Sequence, residues 1–318
     1  MHLTSVAPTV INWFPLNTIK SMKNRILFFF LLFFSFSVSF AINRALLIGI
    51  SEYKDSSWKQ LSSKNDITIL KQRISKDFEI VELIDGDATY QNIKTQLSIL
   101  CEKSMPGDTV FIHFSGHGQQ MVAIGKEEID GLDEAIVPYD AYLKYEKGIY
   151  EGECHLRDNE FSMCVNTIRK KLDGNGLIIV TLDTCHSGNF ERNEKDEKDA
   201  VVRGVDDIFG REALSRQEQM TLDMQHLKTD HTSISPEGCN VIFISACKPY
   251  ETNFEIQDFL GNGYGPLSYS FALAYQKYGL KDTNSLYVEI AKQMSQKARK
   301  SQHAVFNSSF GFVAPTLK

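Results

Sequence analysis

Short apolar, β-branched runs alternate along this chain with longer stretches in which apolar residues recur every three or four positions. Strands buried on both faces read as continuous apolar runs, and amphipathic helices show the longer period, so the alternation predicts βα units around a largely parallel sheet. Strands are predicted over Arg44–Ile50, Glu79–Ile84, Thr109–Ser115, Leu177–Asp183, Asn240–Cys247 and Phe310–Ala314. Helices are predicted over Ser63–Lys76, Tyr90–Glu102, Asn159–Leu172, Leu267–Tyr278 and Ser285–Lys300. Asp173-Gly174-Asn175-Gly176 ends the third helix and feeds the fourth strand. Two segments break the pattern: Gln119 to Arg157 reads as a long loop, and Asn189 to Gly238 as a charge-dense stretch with one helix-like portion at Glu212–Leu227. Loops of that length in a compact domain are usually functional or disordered.

The first residues follow a different logic. Met22-Lys23-Asn24-Arg25 precedes the apolar run Ile26 to Phe40 and a small residue, Ala41. That layout predicts a secretory signal, with translation starting at Met22, cleavage after Ala41 and residues 1–21 either untranslated or a leader extension. The run is shorter than the roughly 20 residues a membrane-spanning helix needs, so an uncleaved anchor is the weaker reading. A secreted or periplasmic protein with no stable membrane anchor is expected. Removing residues 1–41 takes away Lys20, Lys23 and Arg25 and no acid, and the formal charge falls from −6 to −9. An acidic surface argues against a nucleic-acid partner. The 6 cysteines include no CxxC pair, in a chain of 318 residues that does not need stapling.

Chemistry concentrates where two predicted strands end. His113-Phe114-Ser115-Gly116-His117-Gly118 closes one, and Asp183-Thr184-Cys185-His186-Ser187-Gly188 closes another. Strand ends opening into loops are the usual seat of ligand groups in open α/β sheets. A thiol attacks a carbonyl as its thiolate, and the resulting oxyanion needs donors aimed at it. Cys185 would supply the sulfur and one backbone N–H, Gly118 a second N–H, and His117 a proton for the leaving amine. The competing reading is that His117 merely ends a strand and Cys185 is an inert buried thiol. Zinc is a weaker competitor, since His113 and His117 on one strand would lie about 13 Å apart. His113 reads as a satisfied core residue, His186 as part of the turn, and Cys247 as a rival nucleophile without a glycine frame.

These motifs, with Ala45-Leu46-Leu47-Ile48-Gly49-Ile50 before them, resemble those of the metacaspases and bacterial caspase-like cysteine peptidases. The likeness continues in order through Asn65-Asp66, Asp130-Gly131-Leu132-Asp133-Glu134, Ile244-Ser245-Ala246-Cys247-Lys248 and Tyr264-Gly265-Pro266-Leu267-Ser268-Tyr269. The resemblance implies a caspase-like three-layer sandwich, with a mostly parallel sheet of about six strands and helices on both faces. It divides residues 42–318 into a large-subunit-like part (42–188), a charged linker (189–238) and a small-subunit-like part (239–318). It implies a Cys185/His117 dyad acting through a thioester acyl-enzyme. It also places Asp66, Ser115 and Asp183 in the pocket for the residue before the cut bond. Two carboxylates there would pair with Arg or Lys and repel an acid. The plainer reading is that Asp66 caps a helix and Asp183 serves a turn.

Calcium, used by many relatives, is not expected: Asn159 beside Asp158 replaces an acid, Arg192 opposes a cation, and no EF-hand loop is present. No cofactor is therefore predicted. The linker cations Lys195, Lys198, Arg203, Arg211, Arg216 and Lys228, and Lys144 and Lys147 in the other long loop, are candidate self-cleavage sites. A solvated linker that is never cut is the alternative. A catalytically silent peptide-binding module and a related transpeptidase are the rival functions.

Overall fold

The computed structural model describes residues 41–124, 131–186, 200–225, 237–249, 251–299 and 302–309. The signal-like segment, Asp130, Ser187, Gly188, Arg192, Lys195, Lys198, Lys228 and the predicted strand Phe310–Ala314 lie outside them.

A six-stranded sheet runs in the order β11-β8-β7-β3-β1-β2. Its strands are β1 (Asn43–Gly49), β2 (Glu79–Ile84), β3 (Thr109–Ser115), β7 (Leu177–Asp183), β8 (Asn240–Ser245) and the edge strand β11 (Val305–Ser308). All pairings are parallel except that of β11 with β8. Helices α1 (Ser63–Ile74), α5 (Pro266–Tyr278) and α6 (Thr283–Lys297) bury a core with Leu47, Phe111 and Ile179 on one face. On the other, α2 (Tyr90–Lys103) and α3 (Asp158–Leu172) pack on Leu46, Ile48, Ile112 and Val180. Successive strand residues thus feed opposite layers, which is why these runs are apolar throughout.

Local signals set the helix limits. Thr89 Oγ1 accepts the Asn92 N–H at 3.3 Å to start α2, and Asp282 accepts that of Ser285 at 3.0 Å to start α6. Pro266 opens α5, where its missing N–H costs nothing. After α3 it is Asp173, with φ 56°, that takes the positive dihedral at the stop.

Three differences from the sequence reading matter. The stretch Gln119–Arg157 is not one loop: it holds a side sheet of β4 (Gly118–Val122), β5 (Leu132–Ile136) and β6 (Leu156–Arg157) in that order. β5 escapes a propensity reading because Leu-Asp-Glu-Ala-Ile carries two acids. Asp133 is neutralised there by an ion pair with Arg157 of β6, and Glu134 lies 3.5 Å from His186. The strand read to Cys247 stops at Ser245, and the last described strand, Val305–Ser308, is a short polar edge. The helix-like portion at Glu212–Leu227 is α4 (Arg216–Gln225), preceded by a turn at Arg211–Ala213.

Candidate active site

β3 and β7 are neighbours in register, so Ser115 pairs with Asp183 and the residues just beyond both strands share one edge of the sheet. His117 and Cys185 emerge there, 1 % exposed each. Both Gly118 and Gly204 are needed for the closeness of the chains. A Cβ on Gly118 would meet the Cys185 carbonyl oxygen at 2.7 Å, and one on Gly204 would meet it at 2.5 Å.

The site is filled by the chain itself. Residues Val201 to Arg203 run as an extended segment against Asn253–Glu255: the Arg203 N–H donates to the Asn253 carbonyl at 3.0 Å, and the Glu255 N–H to that of Val201 at 2.9 Å. Val202 and Phe254 form an antiparallel bridge between them. The Arg203 carbonyl oxygen accepts the N–H of Cys185 at 3.1 Å and that of Gly118 at 3.2 Å. Those are the two backbone donors picked out from the sequence.

The Arg203 side chain is fully buried among acids. Nη2 donates to Asp66 and to Glu255, both at 2.8 Å, and Nη1 donates to Ser115 Oγ at 2.6 Å. Ser115 in turn donates to Asp66 at 2.7 Å. Asp183 takes part differently from the sequence reading. Its main-chain oxygen accepts from Nη1 at 3.3 Å, while its carboxylate lies at 3.8 Å and is held by Ser268 and Asn253. Glu255, absent from the sequence reading, is fixed by the Ser62 N–H and hydroxyl at 2.7 Å each. Its only sequence signal is an acid in an unremarkable loop, some 50 residues past Arg203 in chain order. The surrounding carboxylates push the guanidinium pKa further up against the pull of burial. Asp66 is pushed up to about 7, by burial first and by the charge of Asp183, against the opposing pull of Arg203.

His117 is held in an aromatic bracket. Its ring stacks on Trp58 at 5.1 Å and lies 5.3 Å from Tyr53, whose hydroxyl accepts the His117 N–H at 2.7 Å. Nε2 sits 2.8 Å from the Lys59 carbonyl, which must accept a proton from it, so the neutral ring carries its hydrogen there. Nδ1 is then the basic nitrogen, buried and without a partner. Burial lowers the His117 pKa to about 4, against the Lys59 and Arg203 carbonyls, which favour the charged ring. Cys185 Sγ donates to the Glu251 carbonyl at 3.0 Å. The Cys247 thiol lies against Cys185, and this contact and burial push its pKa well up, so it is a poor nucleophile. His113 is a satisfied core residue, bonded to Thr181 at 2.6 Å and Ser268 at 3.3 Å. All six cysteines are free.

A thiol and an imidazole at the ends of neighbouring strands, beside a peptide carbonyl whose oxygen accepts two backbone N–H groups, are the elements that acyl transfer by a cysteine peptidase uses. Comparison with known proteins agrees. The caspase domain family matches residues 42–312, and the chain belongs to it. Metacaspase-1 of Mycosarcoma maydis is 26 % identical over 305 residues, covering 85 % of this chain and 72 % of that protein. Metacaspase-1A of Aspergillus terreus is 27 % identical over 308 residues, covering 84 % and 72 %. Among solved structures, caspase-1 of Spodoptera frugiperda superimposes with a TM-score of 0.52 at 9 % identity, covering 84 % of this chain and 88 % of that one. The GSU0716 protein of Geobacter sulfurreducens gives 0.54 at 18 %, covering 84 % and 93 %. The protein is thus a caspase-like cysteine endopeptidase.

Proposed function

We propose that this endopeptidase cuts after basic residues through a Cys185/His117 dyad, and that its first substrate is its own Arg203–Gly204 bond. The observation that carries this is the pose of Arg203, with its guanidinium among Asp66, Glu255 and Ser115 and its carbonyl oxygen on the Gly118 and Cys185 N–H groups. In attack, Cys185 loses its proton to His117 and its sulfur adds to the Arg203 carbonyl carbon. The oxyanion is held by the two N–H groups. Collapse breaks the C–N bond, His117 returns the proton to the Gly204 nitrogen, and a thioester remains. Water, deprotonated by His117, then releases the Arg203 carboxylate and the thiol.

The charge of the pocket supports Arg or Lys before the cut bond, since an acidic side chain would meet three carboxylates. The signal-like layout of Met22 to Ala41 supports export of a precursor. No helix among the described residues is long and apolar enough to cross a membrane.

The test pairs two short peptides, with Arg or Asp before the scissile bond, against the wild type and Cys185→Ala. The wild type is expected to cut the Arg peptide only and to be recovered as fragments split between residues 203 and 204, while Cys185→Ala does neither. Identical fragmentation of both chains excludes self-cleavage, no turnover by the wild type favours a binding module, and ligated products favour a transpeptidase.

A further inference from the structure

The chain beyond Arg203 is also docked, at two points five residues apart. Gly204 bridges Gly118 and Phe209 bridges Met121, both parallel to β4 on the edge opposite β5. The Phe209 N–H donates to the Gln120 carbonyl at 2.8 Å, and its own carbonyl accepts the Val122 N–H at 3.0 Å. Because those five residues span only three of β4, the chain bows out between its two anchors. Gln119, fully buried, reaches across the bow and donates from Nε2 to the Asp207 carbonyl at 3.1 Å. Its amide oxygen meets His155 Nε2 at 3.0 Å, and His155 Nδ1 meets the Tyr150 hydroxyl at 2.8 Å.

Phe209 itself is 3 % exposed. It packs on His155 at 4.7 Å and edge-on to Tyr150 at 5.6 Å. The receptor is shaped for a ring: a Cβ on Gly152, whose φ is +101°, would strike Met121 at 2.7 Å and Phe209 at 2.9 Å. Nothing in hydrolysis at Cys185 requires this second anchor. Of the candidate cations in the stretch after Cys185 (Lys195, Lys198, Arg203, Arg211, Arg216 and Lys228), Arg203 alone has an aromatic residue six positions on.

We infer that the receptor formed by Met121, Tyr150, Gly152 and His155, with Gln119 as its clamp, is a substrate subsite that reads an aromatic side chain six residues beyond the cut bond. In the precursor it fixes the register of self-cleavage at Arg203–Gly204; in trans it selects extended segments of the form basic residue, five residues, aromatic. The inference rests on the proposed cleavage after basic residues. Burying a phenylalanine side chain corresponds to roughly a tenfold to hundredfold gain in binding.

The experiment uses the full chain carrying Phe209→Ala, which empties the receptor, and two acetylated peptides: one with the sequence of residues 200–210, the other with alanine at the Phe209 position. Both should be cut after the arginine, the phenylalanine peptide with kcat/KM at least about tenfold higher and the difference carried in KM. Equal kcat/KM for the two peptides, or a difference confined to kcat, overturns the subsite. Failure of the wild type to cut either peptide overturns the basic-directed activity itself. Phe209→Leu, a gentler change to the fold, gives a second reading. Its self-cleavage half-time should be several-fold longer than that of the wild type, and an unchanged half-time overturns the subsite.

Discussion

If Arg203 plugs the pocket, removing its charge should open the site to outside substrate by an amount the geometry sets. The guanidinium makes charge-assisted bonds to Asp66 and Glu255 and a third bond to Ser115. Hydrogen bonds to charged groups contribute about 1.5–3 kcal/mol each, and breaking one partner of a buried ion pair typically costs about 3–5 kcal/mol in all. The latter range absorbs the non-additivity of bonds that share one head group. It corresponds to a hundredfold to several-thousandfold shift between docked and open segment. The contrast is made in uncut chains, Cys185→Ala against Cys185→Ala/Arg203→Gln, by fluorescence anisotropy with a dye-labelled Val-Val-Arg amide. The double variant should bind at least about a hundredfold more tightly, because no internal arginine competes. Circular dichroism of both chains checks that the fold survives three carboxylates left without their cation. Equal affinity in two folded chains would refute the reasoning, since the segment would then either not occupy the pocket in solution or be held there without Arg203.

Three further outcomes follow from the same geometry. Burial pushes the Asp66 pKa up to about 7, so the carboxyl gains protons as pH falls through that value; KM for an Arg peptide should therefore rise as pH falls from 8 to 6, with kcat changing less, and a flat KM would contradict it. Glu255→Gln should lower kcat/KM for Arg peptides about tenfold or more, because one guanidinium nitrogen, Nη2, donates to both Glu255 and Asp66 at 2.8 Å; an unchanged kcat/KM would remove Glu255 from specificity. Peptidase activity should survive a chelator, since Asn159 stands where a second acid would be needed beside Asp158; a several-fold loss restored by Ca²⁺ would overturn that expectation.

The legible parts of this chain were those with strong local signals. Five of the six central strands and all five layer-forming helices read from period and caps, because burial on both faces or one face writes an apolar pattern with a fixed repeat. His117, Cys185 and the N–H of Gly118 could be brought together because each closes such a strand. What was hidden depends on long-range pairing. β5 holds two acids whose neighbours, Arg157 and His186, lie elsewhere in the chain. Glu255 joins the pocket only because the segment 253–255 pairs with 201–203. Asp183, two residues before Cys185, could be placed beside the pocket by alternation, but the claim of Ser268 and Asn253 on its carboxylate could not. Arg203 was one cation among several in a charged stretch, set apart only by a phenylalanine six positions on, whose meaning needs the docked segment.

If Arg203–Gly204 is cut as proposed, the docked geometry would also explain how the bond can be held without being cut at once. The Cys185 thiol is turned onto the Glu251 carbonyl, a bond only a protonated sulfur can donate. His117 Nδ1 is buried without a partner, and burial lowers the His117 pKa to about 4, which favours the neutral ring. The described arrangement is thus the uncharged thiol–imidazole pair, before proton transfer. Attack requires the sulfur to give up Glu251, pass its proton to Nδ1 and create a thiolate beside a pocket already rich in carboxylates. Each negative group that favours Arg203 as a ligand also opposes that thiolate, and the positive charge of Arg203, together with the imidazolium that proton transfer creates, offsets them. On the proposed mechanism, an arginine in the pocket would be both the specificity element and part of the electrostatic condition for attack. A neutral P1 residue such as citrulline, which keeps the shape and loses the charge, should lose kcat as well as binding. Peptides ending in Arg or citrulline before the scissile bond separate the two effects, and a loss confined to KM would show that the guanidinium acts in binding alone.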